Sequence, residues 1–286
     1  MKINNFIGKV MVCYRNSRFH NAKNGMLLMK LLRIWIWFMP NKKIIKEING
    51  IKFDLDLDQE IDSSLYFSNT FEPLSESILE RFVLPGMTTI DIGANIGYHT
   101  FHLAKLTQPD GGVYAIEPTS WAIERLRRNA ILNSSLQNIK IFQIAFSDSH
   151  KGITESIFKS SYALNGNDEI NKIEKTYITT MDDFIDDNNI KRVDFIKMDV
   201  DGFEGKIIRG MKKTMERDHP IILFEITPSV LSRQGINPRE FLMEFINFHY
   251  SLYSEKLSLI NHLDQYLDQN EGNDSSMILA YPGTIQ

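Results

Sequence analysis

Apolar and polar positions alternate along most of the 286-residue chain in two periods, one fitting strands and one fitting helices. Ile48 to Leu57 alternates around Asn49-Gly50 and predicts a hairpin. Glu72 to Phe82 has helical spacing, with Pro73 in its first turn. Thr88 to Ile92 is short and β-branched, as in a buried parallel strand, and is followed by Gly93, Gly97 and an apolar helical stripe from Ile96 to Leu106. The same alternation then recurs. Strands are predicted at Gly112–Glu117, Asn138–Ala145, Thr176–Thr180, Val193–Val200 and His219–Glu225, with helices at Thr119–Leu132 and from Met181. Asn237–Phe248 predicts a helix, and Tyr250–Ile260 and Ser276–Tyr281 two strands separated by the polar stretch Asp264–Asp274. Residues 149–174 predict a mobile connection or short hairpin at the carboxyl end of the sheet, with Tyr162, Asn165 and Asn167 as sugar-facing candidates.

The chemistry gathers at strand ends. After Gly93, the third and sixth positions are Asn95 and Tyr98, so the glycine spacing of a dinucleotide fold fails and a nicotinamide oxidoreductase is disfavoured. What stands there is Asp91-Ile-Gly93-Ala94-Asn95-Ile-Gly97, with a carboxylate at the strand end. A carboxylate there suits a cationic ligand rather than a pyrophosphate, and S-adenosyl-L-methionine has an ammonium, a sulfonium and no phosphate. The glycines are read as letting the backbone turn and approach that ligand. Glu117 ends the next strand before Pro118, where a carboxylate would accept the two hydroxyls of a ribose. Asp199 and Glu204 flank Gly202 after the fourth parallel strand, and Glu225 ends the next.

Asp91-Ile-Gly-Ala-Asn-Ile-Gly, Ala115-Ile-Glu-Pro, Ala145-Phe-Ser-Asp148 and Val193-Asp-Phe-Ile-Lys-Met-Asp-Val-Asp-Gly-Phe-Glu204 together resemble the FkbM-type family of S-adenosylmethionine-dependent methyltransferases, over about residues 70 to 230. The resemblance implies a three-layer α/β, Rossmann-like class I methyltransferase fold, whose mostly parallel seven-stranded sheet ends in an antiparallel carboxyl-terminal hairpin. It implies a donor pocket formed by Asp91, Gly93, Ala94, Asn95, Gly97, Glu117 and Pro118. The adenine-binding Asp of many class I enzymes falls by register on Ala145 or Phe146, which assigns adenine to backbone groups and the Phe146 ring, with Asp148 the weaker candidate. Asp199 is the candidate for orienting or deprotonating an acceptor hydroxyl. Glu204 and Glu225 are further catalytic candidates, the latter for sharing a proton or divalent ion with Asp199. The implied activity is O-methylation, of a sugar in a glycan, glycolipid or secondary metabolite. A non-catalytic scaffold that keeps the fold is the alternative.

Composition adds one asymmetry. The chain carries −4 overall, yet residues 1–46 hold ten Lys and Arg and no acid. Within that segment Met26 to Met39 is apolar, interrupted by Lys30 and Arg33. As a helix it would span about 21 Å, short of a roughly 30 Å hydrocarbon core. The basic segment, residues 1–47, is read as separate from a catalytic domain over 48–286. Residues 23–39 suit peripheral contact with an anionic membrane surface, packing on the catalytic domain or a dimer contact; a nucleic-acid arm fits less well, since the aromatics form one block. The single cysteine, Cys13, suits a reducing, cytoplasmic setting. No His/Cys cluster has metal-ligand spacing, so no structural metal is expected.

Overall fold

The computed structural model describes Ile36 and residues 41–158, 172–270 and 275–285. Apart from Ile36, the residues on which the expectations for 23–39 rest, and Tyr162, Asn165 and Asn167, lie outside the described residues.

Asn49 and Gly50 both adopt positive φ, 51° and 76°, the pair a two-residue hairpin turn requires. They join antiparallel β1 (Lys43–Ile48) and β2 (Ile51–Asp56). The hairpin therefore starts upstream of the predicted Ile48, and a boundary at residue 48 falls inside it. Ile51, Phe53 and Leu55 are buried on one side of β2. Helix α1 (Glu60–Ser68), which the pattern did not reveal, and α2 (Pro73–Phe82) follow.

The main sheet comprises β3 (Thr88–Ile92), β4 (Gly112–Ile116), β5 (Ile139–Phe142), β9 (Phe195–Met198), β10 (Ile221–Ile226), β11 (Tyr250–Ser254) and β12 (Ser276–Pro282), in the order β11-β12-β10-β9-β3-β4-β5. The five central and β4-side strands run parallel, and β12 lies antiparallel between β10 and β11. Chain order reverses between β3 and β9, so their carboxyl ends form the crevice where open α/β sheets bind ligands.

Gln143 interrupts the predicted third strand. Residues beyond it leave for a second sheet, in which β6 (Ile144–Phe146) pairs parallel with β8 (Lys172–Thr179) and β7 (Gly152–Phe158) pairs antiparallel with β8. The polar region after Ser149 is thus a hairpin whose strands are longer than the predicted Thr176–Thr180 run. Helices α3 (Tyr98–Thr107), α4 (Ser120–Leu132), α5 (Met181–Asp187), α6 (Glu204–Arg209), α7 (Lys212–Asp218), α8 (Pro228–Arg233), α9 (Pro238–Asn247) and α10 (Leu263–Gln269) complete the order. Thr180 caps α5 by accepting from the Asp183 amide at 3.0 Å. The stretch predicted as a polar connection holds α10; its apolar side, through Leu263, Tyr266 and Leu267, packs on the core.

Strand alternation sends Ile90, Ile196, Met198 and Phe224 to one face, where Phe224 stacks on Phe245 at 4.5 Å. Val113, Phe195, Leu223 and Leu279 go to the other, beneath Ile78 and Leu79 of α2 and Leu103 of α3. Burying each such side chain contributes about 1.5–3 kcal/mol. Asp91, Ala115, Lys197 and Leu223 stand side by side across four strands in this second phase. The face is therefore apolar at its base and charged toward the carboxyl ends.

Candidate active site

The turn between β3 and α3 needs its glycines, for a reason the sequence did not reveal. Gly93 has φ +81°, and a Cβ there would lie 1.9 Å from the Asp199 carbonyl oxygen. A Cβ on Gly97, at φ +95°, would lie 2.4 Å from Leu126 Cδ1. Both positions turn the chain as expected, but the space they keep clear is occupied by protein, not by a ligand. The Gly93 and Ala94 amides donate to the Ile116 carbonyl at 2.9 and 3.0 Å, fixing the turn against β4.

Asp91 is fully buried. Its Oδ2 accepts the Thr100 hydroxyl at 2.5 Å, whereas Oδ1 has no hydrogen-bond partner among the described residues. A buried carboxylate oxygen without a donor is costly, and an ammonium group brought to it would satisfy it. Glu117 is also buried. Its Oε2 accepts from the Asn95 amide at 2.9 Å, and its Oε1 from the Thr119 amide and hydroxyl at 3.0 and 2.6 Å. Burial pushes the Glu117 carboxyl above the ordinary value despite these bonds, and the Asp91 charge adds to the rise. Three of about four lone-pair sites are thus taken, so Glu117 has one free for a ribose hydroxyl, and a two-hydroxyl grasp requires one internal bond to open. Pro118 is half-buried, and its carbonyl accepts from Thr176 at 3.2 Å, tying this corner to β8.

At the end of β9, Lys197 is 3 % exposed and donates to Asp199 Oδ2 at 3.2 Å. Asp199 itself keeps 28 % of its side chain exposed, so it can meet a ligand. Phe224 pairs with Met198, which brings Glu225 beside Asp199 on the next strand. Burial first, and then the Asp199 charge, raise the Glu225 carboxyl well above the ordinary value.

Glu204 is held within the fold. It is 1 % exposed and accepts from the Val200 amide at 3.1 Å. Burial pushes its carboxyl up to about 7. Its carboxylate thus braces the turn in which Asp201 (φ 52°) and Gly202 (φ 101°) are left-handed, while its Oε2 has no hydrogen-bond partner among the described residues. Phe146 is likewise taken up by the fold, 5 % exposed with its ring edge-on to Phe184 at 5.3 Å. That packing ties the ring to α5. Asp148 is exposed and bonds the Ser147 and Ser149 hydroxyls.

Glu72, at the start of α2, was missed. It bonds His99 Nε2 at 3.0 Å, and its charge acts on both Lys197 and Glu225. Nothing in the local sequence marks it, because it reaches the site only through the amino-terminal elements. Those are clamped by Asn129 of α4 and Asn133 at its carboxyl cap, which accept from the Asp54 and Lys52 amides at 2.8 Å, and by Arg125, which bonds Asp62 of α1. Among the described residues no three His, Cys, Asp or Glu side chains converge as a metal-binding group, and no helix is long and apolar enough to cross a membrane.

A search of curated proteins finds the methyltransferase sdnD of Sordaria araneosa, 25 % identical over 191 residues, 54 % of this chain and 71 % of that protein. Among solved structures, an FkbM methyltransferase from Methylobacillus flagellatus aligns over 76 % of this chain and 52 % of its own, at TM-score 0.43 and 15 % identity. A precorrin-6y C5,15-methyltransferase from Geobacter metallireducens aligns over 73 % and 87 %, at 0.43 and 12 %. None of these names carries a substrate over to this chain. The model of the methyltransferase FkbM domain matches residues 91–274, from the Asp91 strand end to beyond α10. The chain therefore belongs to the FkbM methyltransferase family, whose methyl donor is S-adenosyl-L-methionine.

Proposed function

We propose that the protein is an O-methyltransferase that transfers the donor's methyl group to a hydroxyl of a sugar, within a glycan, glycolipid or secondary metabolite. The observation that carries this reading is Asp199, a partly exposed carboxylate aimed from the switch-point crevice and held from behind by Lys197.

Bound S-adenosyl-L-methionine supplies a methyl carbon on positively charged sulfur, which departs as a neutral thioether with the carbon–sulfur electron pair. Asp91 Oδ1 fits the donor's ammonium, and the remaining Glu117 lone pair fits a ribose hydroxyl. Asp199 accepts the proton of the attacking hydroxyl as the new carbon–oxygen bond forms. A base so placed contributes typically 10²–10⁴-fold, and alignment of the hydroxyl supplies much of the rest. Glu225, held above the ordinary glutamate value by burial and by Asp199, keeps its proton to higher pH and donates a hydrogen bond. An acceptor with adjacent oxygens, as on a sugar ring, suits an acceptor group and a donor group set side by side.

Labelled methyl donor incubated with a panel of glycans and nucleotide sugars tests the reading. Transfer to a sugar hydroxyl, lost in Asp199→Ala while S-adenosylhomocysteine still binds, supports it. Transfer that survives in Asp199→Ala, or that goes only to acceptors without a hydroxyl, overturns it.

A further inference from the structure

Lys197 is the one buried lysine among the described residues. It lies across the ladder from Asp91, one strand over, and bonds Asp199 two residues on. Burial alone would lower its pKa, but Asp199, Asp91 and Glu72 together outweigh that and hold it above the ordinary lysine value. The ammonium is therefore charged and set among carboxylates from β3, β9 and the start of α2, with Glu225 of β10 on Asp199's far side. With its ammonium bonded to Asp199, it acts on a ligand through its field and through Asp199.

We propose that Lys197 is a positioning and charge-balancing residue that sets how strongly the pocket prefers the cationic methyl donor over its neutral thioether product. This rests on the methyl-donor reading above. Carboxylates near a sulfonium stabilise it before reaction more than in the transition state, where positive charge is leaving the sulfur, and such ground-state binding slows transfer. A fixed cation among those carboxylates offsets the excess attraction. Its effect on the ammonium held at Asp91 is common to donor and product, so the difference between the two ligands reports the charge on sulfur.

The test is calorimetry on the full chain with S-adenosylmethionine and with S-adenosylhomocysteine, in wild type, Lys197→Met and Lys197→Arg. Removing the cation is expected to shift the affinity ratio toward S-adenosylmethionine on the order of tenfold. Lys197→Arg, which keeps the charge, is expected to stay within about threefold of wild type. A folded Lys197→Met with an unmoved ratio overturns the proposal. Should that variant not fold, Lys197→Gln, which keeps a polar group of similar length, is read by the same criterion. Wild type that binds neither ligand refutes the methyl-donor reading itself, whereas binding of both with an unmoved ratio refutes only the role of Lys197.

Discussion

The backbone of Gly93 lies so close to that of Asp199 that a single added methyl group would stand 1.9 Å from the Asp199 carbonyl oxygen. The donor-side turn and the acceptor-side strand end are therefore packed directly on each other. Gly93→Ala is expected to cost more than about 3 kcal/mol of stability or to prevent folding, since backbone must move. Gly86, also left-handed at φ +87° but with open space around it, supplies the control. Gly86→Ala should cost only the intrinsic strain of about 1–2 kcal/mol. Denaturant unfolding of the two variants makes the comparison, and equal losses would contradict it.

Thr100 is the donor that serves Asp91 in the absence of ligand. Thr100→Val keeps the shape but leaves both carboxylate oxygens without a protein donor. A cost of about 1.5–3 kcal/mol is expected in thermal or denaturant unfolding. Bound S-adenosylmethionine, by returning a donor to Asp91, should recover part of it.

Glu204 makes stability depend on pH. Its carboxyl is raised from 4.5 to about 7, so the folded state binds its proton more tightly than the unfolded chain does. The associated stability is present below about 4.5 and is lost as pH rises through about 7. Glu204→Gln keeps a side chain of the same shape without the charge and should flatten the slope between those values, by an amount on the order of 2–3 kcal/mol. Unfolding measured at several pH values from 5 to 8 reads the difference, and parallel slopes would contradict the assignment.

Arg125 and Asp62 join α4 to α1, both buried. Asp62→Ala leaves a buried guanidinium without its partner and is expected to cost about 3–5 kcal/mol. The double variant Asp62→Ala/Arg125→Met should be less destabilised than Asp62→Ala alone. A cycle of unfolding measurements checks this, and additive losses would show that the pair is not coupled.

The elements of the main sheet were legible because strand and helix periods are clean between Thr88 and Glu117 and again from Phe195 to Glu225. The positions of Asp91, Glu117, Asp199 and Glu225 in the fold were legible because each lies within one residue of a strand's carboxyl end. The roles of Glu204 and Phe146 were not, since whether a side chain faces a ligand or the fold depends on what packs against it. Glu204 answers to the Val200 amide across its own tight turn, and Phe146 to Phe184 on a helix 38 residues along. Glu72 was invisible for a related reason, as its place at the site is set by the hairpin and α4 contacts far from it in sequence. Lys197 could be read as buried or surface-directed from its strand, and only the ladder with Asp91 decides between them.

The central claim is that a sulfonium nucleoside sits with its ammonium at Asp91, beside Glu117. Calorimetric titration of wild type and Asp91→Asn with S-adenosylmethionine, with NAD as control, tests it most directly. The account predicts one-to-one binding of S-adenosylmethionine to wild type, at least about tenfold weaker binding to Asp91→Asn, and none of NAD. Binding unchanged by the substitution, or heat from NAD alone, would contradict it.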